Sequence, residues 1–269
     1  MNRPQHLPDY SFPPLNEVAM GIQFAPPKGY QQILAGEVRD LFRLNYPKAK
    51  EVQPLPPSFE TFGQPQRFGG FELSMVSIVH NRYWFLSPNE DELIQFQSDR
   101  LLHNWRKVDG ENNTYPRFEN MIMKFEKELR VFEEYIVKLP QSTLDINQCE
   151  LSYINHVHYT DVNGPGKSVD DWINILNFQM INTESFALKF SEQILDSIGK
   201  PCGRLICEIV SILNQKHEPV ISLNITVRGE PETPNIAAAL NFITKGRESI
   251  VLCFDKITSE FAHQQWGKK

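Results

Sequence analysis

Four residues of this sequence carry side chains that enzymes use for proton transfer and charge stabilisation. Asp99 and Arg100 are adjacent in the stretch LIQFQSDRLLHNWRKV, and His156 and His158 flank one valine in HVH. Together they could form a polar active site on a sheet, and they are the candidate catalytic residues. Neither a G-x-S-x-G nucleophile motif nor a glycine-rich phosphate loop accompanies them, so the sequence favours a protein that is not an enzyme.

The two histidines alone provide too few ligands for a metal site. Residues two apart on a strand point to the same face, so both imidazoles would lie together. Zinc needs three or four ligands, and the acid in phase with them, Glu150, lies three residue pairs away. We therefore expect no metal and no cofactor.

The motif HNWRK combines aromatic and basic side chains, which could hold nucleic-acid bases. The chain has a net charge of −6, which disfavours contact with phosphates. Trp105 shares the apolar phase with Leu101, so it is predicted to be a structural core residue. Asn104 and Arg106 take the opposite phase and are candidate binding residues. We expect Arg106 to pair with Glu17 of the first strand, which gives Glu17 a structural role.

Alternating and helical patterns place these residues on a first set of elements. The phase of the apolar residues slips at Ser98-Asp99, where a bulge or a two-residue turn would keep both sets facing the core. The predicted strands are 15–24, 67–79, 82–88 and 93–108, and the predicted helices are 29–47 and 115–139.

A second set of elements follows in the same order. The predicted strands are 148–160, 184–195, 203–214 and 218–229, and the predicted helices are 168–178 and 233–258, with Thr233 as a candidate N-cap of the last. Each half, 1–140 and 141–269, reads β-α-β-β-β-α. This predicts an α+β fold of two pseudo-repeats with one joint core, in which a curved antiparallel sheet packs on long helices. That architecture is similar to the TATA-binding-protein-like and helix-grip folds.

Two segments are candidate contact surfaces. The proline-rich stretch PKAKEVQPLPPSFETFGQPQ, residues 47–66, is predicted to be a loop, either functional or a tolerated insertion. The C-terminal segment TSEFAHQQWGKK holds Trp266, a candidate binding residue. Because terminal residues fray unless they are tied down, we expect this tryptophan to be buried, either on its own chain or in a partner.

The chain is predicted to be cytoplasmic. Its N-terminus lacks the apolar core of a signal peptide, and no apolar run is long enough to span a bilayer. Its four cysteines form no C-x-x-C pair, and isolated cysteines inside apolar runs usually behave as small buried hydrophobic residues.

The sequence resembles an uncharacterised bacterial family of sporadic distribution. The resemblance covers the whole chain and depends on PPLNEVAMGIQF, on LIQFQSDRLLHNWRK, and on a closing helix followed by tryptophan-glycine. Leu101-Leu102 stand where an aromatic residue is common in that family. The resemblance implies a cytoplasmic bacterial protein, and its distribution suggests mobile-element, defence or toxin–antitoxin loci.

Three functions remain open on the sequence. The first is a non-enzymatic protein-binding or regulatory role, with a protein partner or a second copy of the chain. The alternative is an enzyme with a polar site in the curved sheet. The third is a sensor of nucleic acid or a small ligand, of which we expect nucleic acid least.

Overall fold

The computed structural model describes residues 3–63, 81–108, 113–159, 168–176, 184–214 and 217–269. These ranges contain nine strands and four α-helices. The strands are β1 (Leu15–Phe24), β2 (Lys48–Val52), β3 (Arg82–Leu86), β4 (Glu92–Gln97), β5 (Arg100–Arg106), β6 (Ile146–Val157), β7 (Ala187–Leu195), β8 (Pro201–Leu213) and β9 (Pro219–Gly229). The helices are α1 (Ala35–Phe42), α2 (Phe118–Ile136), α3 (Ile236–Ile257) and α4 (Glu260–Gln265), with 3-10 turns at Gln32–Leu34 and Val169–Asp171.

All nine strands form one antiparallel sheet in the order β2-β3-β4-β5-β1-β6-β9-β8-β7. The predicted α+β class with an antiparallel sheet is therefore confirmed. Strands β1 and β6 pair at its centre, so residues from 1–140 and 141–269 share one sheet. Among the described residues, no helix is both long and apolar enough to cross a membrane.

One face of the sheet is covered by the two long helices. The side chains of Val18, Met20 and Ile22 alternate along β1 and are buried on this face. Helix α2 packs Phe132 against Phe24, with ring centroids 5.4 Å apart, and α3 packs across β6, β9 and β8. Helix α2, predicted at 115–139, buries an apolar stripe along its whole length that comprises Phe118, Met121, Ile122, Phe125, Leu129, Phe132 and Ile136. The opposite face, which lacks such a helix among the described residues, carries polar side chains.

The predicted stretch 93–108 is a hairpin rather than one strand. Gln97, the last residue of β4, pairs with Arg100, the first residue of β5, so Ser98-Asp99 is a two-residue turn. This is one of the two predicted ways to absorb the phase slip. Leu101, His103 and Trp105 face the helices, and the residues between them face the other way.

Several predicted elements differ from the structure. The loop prediction for 47–66 is wrong at its start, where β2 pairs with β3. The helix predicted at 168–178 contains only a 3-10 turn in its described part. Helix α3 is capped by Asn235, whose side chain accepts from the amide of Ala238, and not by Thr233. The strand predicted at 67–79 lies outside the described residues.

Candidate functional site

The helix-free face of the sheet is polar because β1, β5, β6 and β9 place alternate polar residues on it. Gln23 on β1 lies directly opposite Gln148 on β6. Arg100 follows the hairpin turn at the same end of the sheet, and Glu150 lies opposite Arg228 of β9. These five side chains come from four strands, and the antiparallel register alone brings them together.

Residues 53–62, which we call the proline-rich segment, cross this face. The amide and carbonyl of Leu55 both bond the side chain of Gln97, at 2.9 and 3.0 Å. The amide of Ser58 donates to Gln23 Oε1 at 3.0 Å, and Arg100 donates to the Pro56 carbonyl at 2.9 Å. Prolines lack an amide donor, so the contacts of this segment use its few free backbone groups.

Glu60 fixes the far end of the segment. Its carboxylate accepts from Arg204 at 2.6 Å and from Arg228 at 3.5 Å, and its side chain is only 5% exposed. Arg204 also donates to the Thr61 carbonyl at 2.7 Å, and its guanidinium lies 4.6 Å from the centre of the Phe62 ring. The segment is therefore attached to β8 and β9 as well as to the β4–β5 turn.

A pocket of about 250 Å³ lies between the proline-rich segment and the sheet. Leu55, Pro56 and Leu102 form the apolar part of its wall. Its polar lining comprises Gln23, Ser58, Arg100, Gln148, Glu150 and Arg228.

Two glutamine amides in this pocket have unused hydrogen-bonding atoms. Gln148 is 2% exposed, and neither its Nε2 nor its Oε1 has a partner among the described residues. Gln23 uses its Oε1 to accept from Ser58 and Arg100, which leaves its Nε2 without a partner in the same described set. A buried polar group without a partner costs about 1–3 kcal/mol. These three atoms have almost no water-accessible surface, so a ligand in the pocket reaches them only when the glutamine side chains turn toward it.

The charges around the pocket are balanced. Arg100 bonds Asp99 at 3.1 Å, Arg204 bonds Glu60 at 2.6 Å, and Arg228 bonds Glu150 at 2.6 Å. Each of these three guanidinium groups thus faces a carboxylate. The polar atoms of the pocket that have no hydrogen-bond partner among the described residues belong to the neutral amides of Gln148 and Gln23.

The structure does not bring the four candidate catalytic residues together. Arg100 lines the pocket, and Asp99 orients it from the hairpin turn. His156 and His158 line a separate open cleft beside Trp105, Trp172 and Trp266. Burial, reinforced by the neighbouring His158, lowers the pKa of His156. Within the described ranges, no group of three His, Cys, Asp or Glu residues could hold a metal.

Glu17 and Arg106 lie directly opposite each other on β1 and β5, as expected, but the hydrogen bonds of each go to other residues. Arg106 donates to the carbonyl of Glu90 at 2.7 Å and lies 3.6 Å from its carboxylate. Glu17 instead accepts from the amide of Asn104, which itself accepts from Gln95 at 2.9 Å. Burial raises the pKa of Glu17, and the Asn104 bond and the Arg106 charge oppose that rise. Asn104 is 1% exposed, so it is not available to a partner.

Trp105 and Trp266, the two tryptophans that the sequence predicted to be buried, are both buried. Trp105 is 3% exposed and contacts Tyr115, with ring centroids 5.3 Å apart. Trp266 is 6% exposed and packs against Tyr10, Phe254 and Trp172 of its own chain. The tail therefore packs against its own chain, and Trp266 also lines the open cleft that holds His156 and His158.

Sequence reasoning missed Gln148, Gln23 and Glu60. The alternation in β1 and β6 puts both glutamines on a polar phase, but it does not say which polar residues will lack partners.

Sequence reasoning also missed a buried cluster on the helix face, where Glu128 accepts from Tyr46 at 2.5 Å and lies 2.9 Å from His103 Nδ1. His103 is fully buried, so this cluster joins β5 to α2 inside the core.

Comparison with protein-family models, with curated proteins and with solved structures found no match to this chain. The function is therefore argued from the pocket itself.

Proposed function

We propose that this protein binds a small polar molecule in the pocket between the proline-rich segment and the sheet. The observation that carries the proposal is Gln148, whose amide is buried with both hydrogen-bonding atoms unpaired among the described residues. Buried polar groups are nearly always hydrogen-bonded in native proteins. A bound ligand would satisfy Gln148 and offset the cost of burying it.

Binding fits this pocket better than catalysis. A general base needs a free carboxylate or imidazole within hydrogen-bonding reach of its substrate. The carboxylates of Asp99 and Glu150 are held by Arg100 and Arg228, and the imidazole of His156 lies in the other cleft. The pocket therefore supports the third function open on the sequence, a small-ligand sensor, ahead of the enzyme.

A screen of small polar fragments by ligand-observed NMR tests this function. The fragments should include neutral amides, carboxylates, phosphates, amines and sugars. Gln148→Met removes the amide while keeping the length of the side chain, and Gln193→Met makes the same change on the exposed part of strand β7. We expect fragments that bind the natural protein and Gln193→Met but not Gln148→Met. The proposal is wrong if no fragment binds, or if every fragment that binds the natural protein binds Gln148→Met equally well.

We also propose that the two halves are related pseudo-repeats of the TATA-binding-protein-like or helix-grip kind. The order of strands supports this, because β5-β4-β3 extend from β1 as β9-β8-β7 extend from β6. The extra strand β2 and the short 3-10 turn after β6 are differences between the halves. Membership of the bacterial family, its cytoplasmic setting and a protein partner or second copy remain predictions from the sequence.

A further inference from the structure

We infer that the ligand is an uncharged cyclic amide, the lactam group found in uracil and hypoxanthine. This inference rests on the proposed function and goes further by naming the chemical class. Gln148 offers an N–H donor and a carbonyl acceptor side by side. A lactam presents the complementary acceptor and donor on adjacent atoms, so the two groups can form a pair of parallel hydrogen bonds once the Gln148 side chain turns its amide toward the pocket.

The charge balance of the pocket argues against an ionic ligand. Phosphates and carboxylates are usually held by arginines in bidentate contacts. Here Arg100, Arg204 and Arg228 already bond carboxylates at 2.6–3.1 Å. An anion would meet guanidinium groups whose charge is already neutralised, and a cation would meet carboxylates that are already paired. A neutral ligand leaves all three ion pairs intact.

The remaining features of the pocket fit a small flat ring. The free Nε2 of Gln23 supplies a further donor for a second carbonyl, as uracil carries. The aliphatic walls formed by Leu55, Pro56 and Leu102 would contact the ring faces. A volume of about 250 Å³ is large enough for one or two fused rings.

Isothermal titration with defined probes tests the class of ligand. The lactam probes are uracil and hypoxanthine. The control 1,3-dimethyluracil keeps the ring and both carbonyls but has no N–H donor, and orotate keeps the lactam but adds a carboxylate. Each probe is titrated into the natural protein, Gln148→Met and Gln193→Met.

We expect at least one lactam to bind the natural protein and Gln193→Met alike. Loss of a pair of neutral hydrogen bonds should weaken binding about tenfold or more, both for 1,3-dimethyluracil and for the lactam with Gln148→Met. The lactam assignment is overturned if neither probe binds, or if 1,3-dimethyluracil or orotate binds as tightly.

The two proposals fail in different ways. If charged or sugar-like fragments bind in a Gln148-dependent manner while both lactams do not, the ligand class is wrong and the binding function stands. If no fragment of any class binds, both proposals are wrong. Gln148→Met loses no hydrogen bond to a described residue, so we expect it to fold. A thermal unfolding curve of this variant verifies that loss of binding is not caused by unfolding.

Discussion

Replacing Glu60 with glutamine should loosen the proline-rich segment without unfolding the sheet. Glu60 accepts from Arg204 at 2.6 Å and from Arg228 at 3.5 Å. Hydrogen bonds to charged groups contribute about 1.5–3 kcal/mol each. Since glutamine can keep one neutral hydrogen bond to Arg204, we expect docking of the segment to weaken by about 2 kcal/mol.

The loss should be local because polar contacts hold the segment in place. None of residues 53–62 is fully buried, and Leu55 and Phe59 are 36% and 54% exposed. Segments with few buried apolar contacts open independently of the core. Amide hydrogen exchange in peptides spanning 53–62 should accelerate about thirtyfold, because each 1.4 kcal/mol is a factor of ten. The denaturation midpoint of the whole protein should stay nearly unchanged.

Glu192→Gln on the exposed edge of β7 is the matched control, and its exchange in 53–62 should equal that of the natural protein. Unchanged exchange in Glu60→Gln would mean that the carboxylate does not hold the segment. A large fall in the denaturation midpoint would mean that the segment belongs to the core. Either result refutes the reasoning.

Three further predictions concern buried residues. Trp105→Ala should lower the free energy of unfolding by about 3–5 kcal/mol in equilibrium denaturation, and an unchanged midpoint would contradict its burial. Trp266→Ala should cost a similar amount and leave the oligomeric state by light scattering unchanged, whereas a change of mass at constant stability would favour a role at an interface. Burial, with the nearby Lys268 charge, lowers the pKa of His263. The unfolded chain therefore binds more protons below about pH 6.5, and stability should fall as the pH drops from 7 towards 5; this slope should shrink in His263→Gln, and an equal slope in both proteins would contradict the argument.

The sequence predicted the elements whose burial follows a simple period. The stripe of α2 and the alternation of β1 each reflect one buried face, so a single pattern specifies both the element and its orientation. The slip at Ser98-Asp99 predicted either a bulge or a two-residue turn for the same reason, since the apolar residues on both sides had to stay on the helix side; the structure has the turn.

The elements and contacts that were missed depend on partners far along the chain. Strand β2, with the sequence KAKEV, is exposed on four of its five residues and has no apolar alternation to reveal it. Glu60 meets Arg204 across 143 intervening residues, and no local pattern encodes that pairing. The unused amide of Gln148 is a property of the assembled pocket, so it became visible only when the neighbours on β1 and in the proline-rich segment were in place.

The balanced charges around the pocket have a consequence for how ionic conditions act on binding. Salt weakens long-range attraction between charges and has little effect on hydrogen bonds between neutral groups. A ligand recognised by the amides of Gln148 and Gln23 would therefore arrive without electrostatic steering, and its affinity would be nearly constant across ionic strengths. Occupancy of the pocket would then depend on the concentration of the ligand and not on the concentration of salt.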